Sequence, residues 1–298
     1  MTTFVQLLFA GVALGAVYAL VAIGFTVIFK ASRVINFAQG QMLAAGAFFT
    51  SWLALGANLP FWVALPLGLL FTASIGLAFQ LGVIRFAIGR PDFTVVMLTL
   101  GLAAVLEAAI PTVWGSYPRS NGDPWGSSAV HAGQIAFPWV QVWAIVTAIL
   151  ALVAFFAFNR YSRWGVAMRA AASDQEAAVA AGIPLTRVYA LAWVLAGVVA
   201  CVAGVFLAGY PNQLDPTIGD SALLAFPAII LGGIDSTSGA VVGGFAIGII
   251  QELVAGYQPQ DAAWLGHDFY IAAPYIVMIA VLLVRPYGLF GSRPAERL

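Results

Sequence analysis

The chain opens on a run, MTTFVQLLFAGVALGAVYALVAIGFTVIF, that meets no charge until Lys30. Such runs recur. Apolar segments lie near residues 5–29, 35–56, 61–84, 94–114, 139–158, 188–209, 221–234, 240–256 and 270–284, joined by short polar connections. A helix rises about 1.5 Å per residue, so some 20 apolar residues cross the hydrocarbon core. Apolar residues make up 62% of the sequence and charged ones 8%, against about 45–50% apolar in soluble domains. The expected fold is all-α: a single polytopic transmembrane bundle over residues 1–298, with eight to nine spans. The uncertain span is 221–234, which is short and holds Pro227, so it reads as a broken or re-entrant helix. The first run lacks the basic region that precedes a secretory signal core and reads as a span.

Charge sets the sidedness. With the N-terminus outside, Lys30, Arg33, Arg85, Arg90, Arg160, Arg163, Arg169, Arg187, Arg285, Arg293 and Arg297 all fall inside, and Arg119 alone falls outside. Basic residues concentrate on the cytoplasmic side of membrane proteins, so the C-terminus is expected in the cytoplasm.

Catalytic chemistry has no foothold. His131 and His267 fall in separate outside loops without metal-ligand spacing, and Cys201 lies within an apolar run, the setting of an inert buried thiol. No phosphate-binding G-x-x-x-x-G-K-[ST] loop is present. No cofactor, metal or nucleic acid is therefore expected on this chain, and ATP-driven work would need a separate ATPase.

Polar residues inside spans are few. Glu107 sits near the middle of 94–114, where a charge costs about 2.5–3.5 kcal/mol. It is expected to face the bundle interior, face a water path, or be protonated, in either a lining or a structural role. Gln251 and Glu252 lie nearer the outer end of their span. In INFAQGQ, residues 35 to 41, the amides of Asn36, Gln39 and Gln41 admit two readings. One is an interfacial helix start with amides in headgroup water; the other is a partly unwound segment lining a path. Residue physics leans to the first. Asp92 after Pro91 reads as a helix cap. In the external loop 115–138, Trp114, Trp125 and Trp139 read as interfacial anchors. Small residues four apart (Gly11 and Gly15, Gly239 and Gly243, Gly244 and Gly248) let helix backbones approach, chiefly within the chain.

The cytoplasmic stretch SRWGVAMRAAASDQEAAVAAGIPLTR, residues 162 to 187, is charged and self-punctuated. Ser173 and Glu176 have capping-box spacing, Gly182 suits a left-handed helix stop, and Pro184 prevents continuation. A helix this short is not stable alone in water.

Three motifs carry a resemblance: ALVAIGFTVIFKASRVINFAQGQML at 19–43, RAAASDQEAAVAAGIPLTRVYALAWVLAGVVACVAG at 169–204, and LGGIDSTSGAVVGGFAIG at 231–248. With LLVRPYGLFG at 282–291, the chain resembles the shorter permease subunits of branched-chain amino-acid ABC importers, a family that also handles urea and short amides. It departs from them at Gln39-Gly40-Gln41, where the family often has His-Gly-Glu. The resemblance implies a multi-pass protein of the bacterial inner membrane forming a path for a small polar or zwitterionic solute. Implied partners are a second permease (copy or paralogue), two cytoplasmic ATPases that bind ATP, and an external substrate-binding protein. It also implies that 159–187 is a coupling segment docking on an ATPase, with Arg163, Gly165, Arg169, Asp174, Glu176 and Gly182 as its candidate contacts. Asn36, Gln39, Gln41 and Glu107 are the candidate path residues. The rival class is a stand-alone secondary transporter or channel using Glu107 as a proton or cation site.

Overall fold

The computed structural model describes residues 2–87, 90–132, 135–209, 212–266 and 268–291. His267, Arg293 and Arg297 lie outside the described residues. Eleven α-helices run in order among them: α1 Thr2–Ser32, α2 Gln39–Ser51, α3 Phe61–Gly82, α4 Asp92–Trp114, α5 Trp139–Tyr161, α6 Arg163–Ser173, α7 Gln175–Ala180, α8 Leu185–Leu207, α9 Phe226–Gly232, α10 Thr237–Asp261 and α11 Phe269–Val284.

Six helical stretches among the described residues are long and apolar enough to cross a membrane: Thr2–Ser32, Phe61–Phe86, Phe93–Trp114, Trp139–Tyr161, Leu185–Leu207 and Thr237–Pro259. The remaining apolar segments of the expected eight to nine spans are shorter. They are α2, which continues as a π-helical turn over Trp52–Gly56, the stretch Pro216–Gly232, and α11. The expected span 221–234 is a ten-residue 3-10 helix, Pro216–Ala225, followed by α9.

Helices α1 and α8 form the centre, and α3, α4 and α5 are peripheral. Glycine sets how closely α1 and α10 approach. A Cβ on Gly15 would lie 2.7 Å from the Cα of Phe245, and one on Gly248 would lie 2.2 Å from the backbone nitrogen of Gly15. Gly11 meets Ile249 and Gly15 meets Phe245, so the two helices cross antiparallel, backbone on backbone. The spaced glycines serve packing within the chain, as in other small-residue crossings. Cys201 is buried beside Thr50, its sulfur 3.8 Å from the Thr50 hydroxyl.

The charged ends agree with one another. Arg33 at the end of α1 donates to the carbonyl of Ala172 at 3.0 Å, and Lys30, Asn159, Arg169 and Thr237 surround one small pocket. Arg119 stands at the opposite end, in a backbone bridge with Leu214 just beyond α8.

The loop 115–138, expected outside, is more built than expected. It contains a hairpin, β1 Ala129–Ala132 antiparallel to β2 Ile135–Pro138. Trp125 is not an interfacial anchor. Its ring is buried and lies parallel to Phe206 at 5.7 Å and to Trp143 at 6.0 Å. Trp114 also turns inward, toward Phe48, while Trp139 is exposed. Helix α4 begins at Asp92 after Pro91; the Asp92 side chain, expected to cap it, lies outside the described residues.

Candidate functional site

Residues 33–38 leave the helical path between α1 and α2, and Arg33 takes a positive φ of 60° where the chain turns back. The amides that follow are not in headgroup water. Asn36 and Gln39 are fully buried and Gln41 nearly so. Gln39 Nε2 donates to the carbonyl of Ala196 at 3.1 Å, and Asn36 Nδ2 donates to Gln39 Oε1 at 3.2 Å. Asn36 Oδ1 accepts from the Ala38 amide at 3.0 Å. Ala196 lies halfway along α8, so α2 begins deep inside the bundle and not at its inner edge. The interfacial reading of INFAQGQ is thereby overturned: protein partners, not water, satisfy the Asn36 and Gln39 side chains, and Gln41 is buried with them.

A second irregular element meets α2 at this depth. A Cβ on Gly40 would lie 2.2 Å from the Gly219 carbonyl oxygen, in the 3-10 helix Pro216–Ala225. A 3-10 helix has three residues per turn, so every third residue falls in line. Thr217, Asp220 and Leu223 form that line and are exposed, while Ile218, Gly219, Ala222 and Ala225 are buried against the bundle. Asp215 fixes the start of the element, its Oδ1 accepting from the Thr217 amide at 2.8 Å. The Tyr275 hydroxyl donates to the Leu223 carbonyl at 3.1 Å. Gln41 lies against Gly219, next to Asp220, and its Oε1 is buried without a hydrogen-bond partner.

Asp220 escapes a reading based on span composition. The three-residue spacing of Thr217, Asp220 and Leu223 was the available signal, but it means something only once the segment is known to be 3-10.

Glu107 does not face the bundle interior. The buried line of α4 runs through Val95, Thr99 and Ile110, and Glu107 is exposed on the outer side of the chain. It is not brought together with the buried amides of Asn36, Gln39 and Gln41.

The segment 159–187 consists of two short helices. Ser162 caps α6, its Oγ accepting from the Gly165 amide at 2.8 Å. Gly165 is required by space, since a Cβ there would lie 2.4 Å from the Asn159 carbonyl oxygen. The second cap falls one residue later than the capping box predicts. Ser173 ends α6, and Asp174 caps α7 by accepting from the Glu176 and Ala177 amides at 2.9 and 3.0 Å. Gly182 has φ +80°, and the amide of Ile183 reaches back to the Ala178 carbonyl at 3.0 Å, closing a left-handed terminus. The body of α1 steadies the pair: Gln175 Nε2 donates to the Ala31 carbonyl at 3.3 Å. Arg169 donates to Asn159 Oδ1 at 3.2 Å. Arg163, Glu176 and Val179 remain exposed on this surface.

Comparison with known proteins places this geometry. The family model described as branched-chain amino acid transport system / permease component matches residues 7–284. The high-affinity branched-chain amino acid transport system permease protein LivH of Escherichia coli (strain K12) is 32% identical, over 99% of this chain and 98% of its own length. LivH of Salmonella typhimurium is 31% identical over the same shares. A solved structure of PsaBC from Streptococcus pneumoniae in complex with Fab shares the fold, with TM-score 0.51 and 13% identity over 95% of this chain and 92% of that one. A mostly helical multi-pass architecture, a family match over nearly all its length and relatives of matching extent agree: the chain belongs to the family of permease components of branched-chain amino acid ABC transport systems.

Proposed function

We propose that this chain forms one half of the passage of an ATP-driven importer, and that the solute is a branched-chain amino acid, as the names of its relatives suggest. The observation that carries the proposal is the exposed line of Thr217 and Asp220 at the depth where α2 begins. Irregular backbone at membrane depth is stable only where protein covers it or water fills the space beside it. A carboxylate facing lipid there would be costly. The face bearing Asp220 therefore suits a water-filled path between this subunit and a second permease, with Asp220 available to a solute's ammonium group and Gln41 behind it.

The partners follow from the same reading. Two cytoplasmic ATPases meet α6 and α7, through Arg163, Glu176 and the surface around Val179, and an external binding protein delivers the solute to the opposite face. The arginine-bearing end is cytoplasmic and the N-terminus outside. The decisive experiment is uptake of labelled leucine by cells expressing this chain with its neighbouring importer subunits. Uptake should require the ATPase and fall in Asp220→Asn at normal membrane abundance. Uptake that survives loss of the ATPase supports a stand-alone transporter instead; uptake of urea but not leucine would replace the solute.

A further inference from the structure

A groove of about 410 Å³ opens on the outer side of the bundle, at the end that carries the arginines. Its walls are apolar: Leu77 and Leu81 of α3 face Ala190, Leu191 and Val194 of α8. At its end stand Trp164, Thr186 and Arg187, and no acidic residue among the described ones lines it. Leu77, Leu81, Trp164 and Arg187 are all exposed. The groove thus pairs an acyl-sized apolar trough with one cation, one hydroxyl and one indole.

That combination has a chemical counterpart in the bilayer. Tryptophan settles at the headgroup level, and arginine reaches to it along its own aliphatic stem. Basic pockets between transmembrane helices on the cytoplasmic side hold anionic lipid headgroups. The geometry points to a retained anionic phospholipid. One acyl chain lies between α3 and α8, the phosphate meets the Arg187 guanidinium, and the Thr186 hydroxyl donates to a phosphate oxygen. A zwitterionic lipid fits the same trough but presents its own cation beside Arg187, so the site should discriminate by charge. The lipid would bridge α3 to the start of α8, the helix that follows directly on α7, and so brace the base of the partner-facing segment.

Native mass spectrometry of the delipidated full chain tests this with phosphatidylglycerol and phosphatidylcholine of identical acyl chains. One phosphatidylglycerol should bind about fivefold more tightly than phosphatidylcholine, the preference expected of one basic residue at an anionic headgroup. Arg187→Gln should abolish the preference, and Arg187→Lys should keep most of it. Ala190→Trp, which fills the trough without touching the charge, should remove the bound lipid of both classes. Circular dichroism of each variant checks that the helices remain. Equal retention of both lipids by the unaltered chain overturns the site, as does a preference that survives Arg187→Gln. A groove that is instead the seat of a protein partner would show neither lipid above the bulk background, which also overturns it.

Discussion

A Cβ on Gly219 would lie 2.9 Å from the carboxamide of Gln41, whereas one on Gly40 would lie 2.2 Å from the carbonyl oxygen of Gly219. The two glycines hold α2 and the 3-10 helix together, but the obstacles differ. Gln41 is the end of a flexible side chain; the Gly219 carbonyl is backbone and cannot step aside.

Gly40→Ala should therefore destabilise the subunit by about 1–3 kcal/mol, the usual cost of overpacking a tight interior. Gly219→Ala should keep normal abundance while displacing the Gln41 carboxamide, and so lower uptake. Thermal unfolding followed by size-exclusion chromatography, alongside transport, separates the two. Equal stability of both variants would show that the elements are not locked at this contact.

Glu107 tests which surface would meet the proposed second permease. Its exposure on α4 leaves two surroundings, lipid or a partner. A carboxylate in lipid costs about 2.5–3.5 kcal/mol, so Glu107→Leu would then raise membrane yield and leave uptake intact. We expect the opposite: normal insertion with weaker co-purification of the second permease and reduced uptake.

In the segment 159–187, proposed to meet the ATPase, Asp174→Ala removes the cap of α7 and should cost about 1 kcal/mol locally. Gly182→Val forces a β-branched residue into φ +80°. Neither touches the membrane core. Both should leave abundance normal and reduce co-purification of the ATPase, and Glu176→Lys should do so through charge alone. Unchanged ATPase association in all three would remove this surface from the interface.

Asp123, in the loop 115–138, accepts from the Gly126 amide at 2.9 Å, yet burial outweighs that bond and holds its pKa above the usual carboxylate value. A folded-state pKa above the unfolded one makes the carboxyl most favourable when protonated. Its contribution is complete below the unfolded pKa and is lost as pH rises through the folded one. Asp123→Asn keeps an acceptor for Gly126 and should raise the unfolding temperature at neutral pH, with the gain vanishing in acid. A gain that is independent of pH would assign it to something other than this carboxyl.

Much of the architecture was legible because its signals are local. Apolar run length marks helices, glycine at four-residue spacing marks the α1–α10 crossing, and Gly182 before Pro184 marks the end of α7. The depth of Gln39 was not legible. Its side-chain Nε2 donates to the carbonyl of Ala196, a residue far away in sequence, and nothing near INFAQGQ distinguishes that partner from water. Trp125 was misread for the same reason: its stacking partner Phe206 belongs to α8. Ser173 lost the cap to Asp174 because Ser173 is still helical as the last residue of α6, which leaves extended Asp174 to accept from the Glu176 and Ala177 amides.

The crossing of α1 and α10 carries a consequence for movement. Side chains between helices act as a compliant layer that can change rotamer as the helices slide. Where Gly15 meets Phe245 and Gly248 there is no such layer, only main chain against main chain. Sliding by a single residue would drive a Cβ into backbone, so the pair behaves as one beam. Any alternation between outward and inward access must then be taken up elsewhere. The segments 33–38 and Pro216–Ala225 lack a full α-helical ladder and can flex, the second only together with α2, to which Gly40 and Gly219 hold it. The transport cycle would thus bend the chain at those two joints and leave the beam intact.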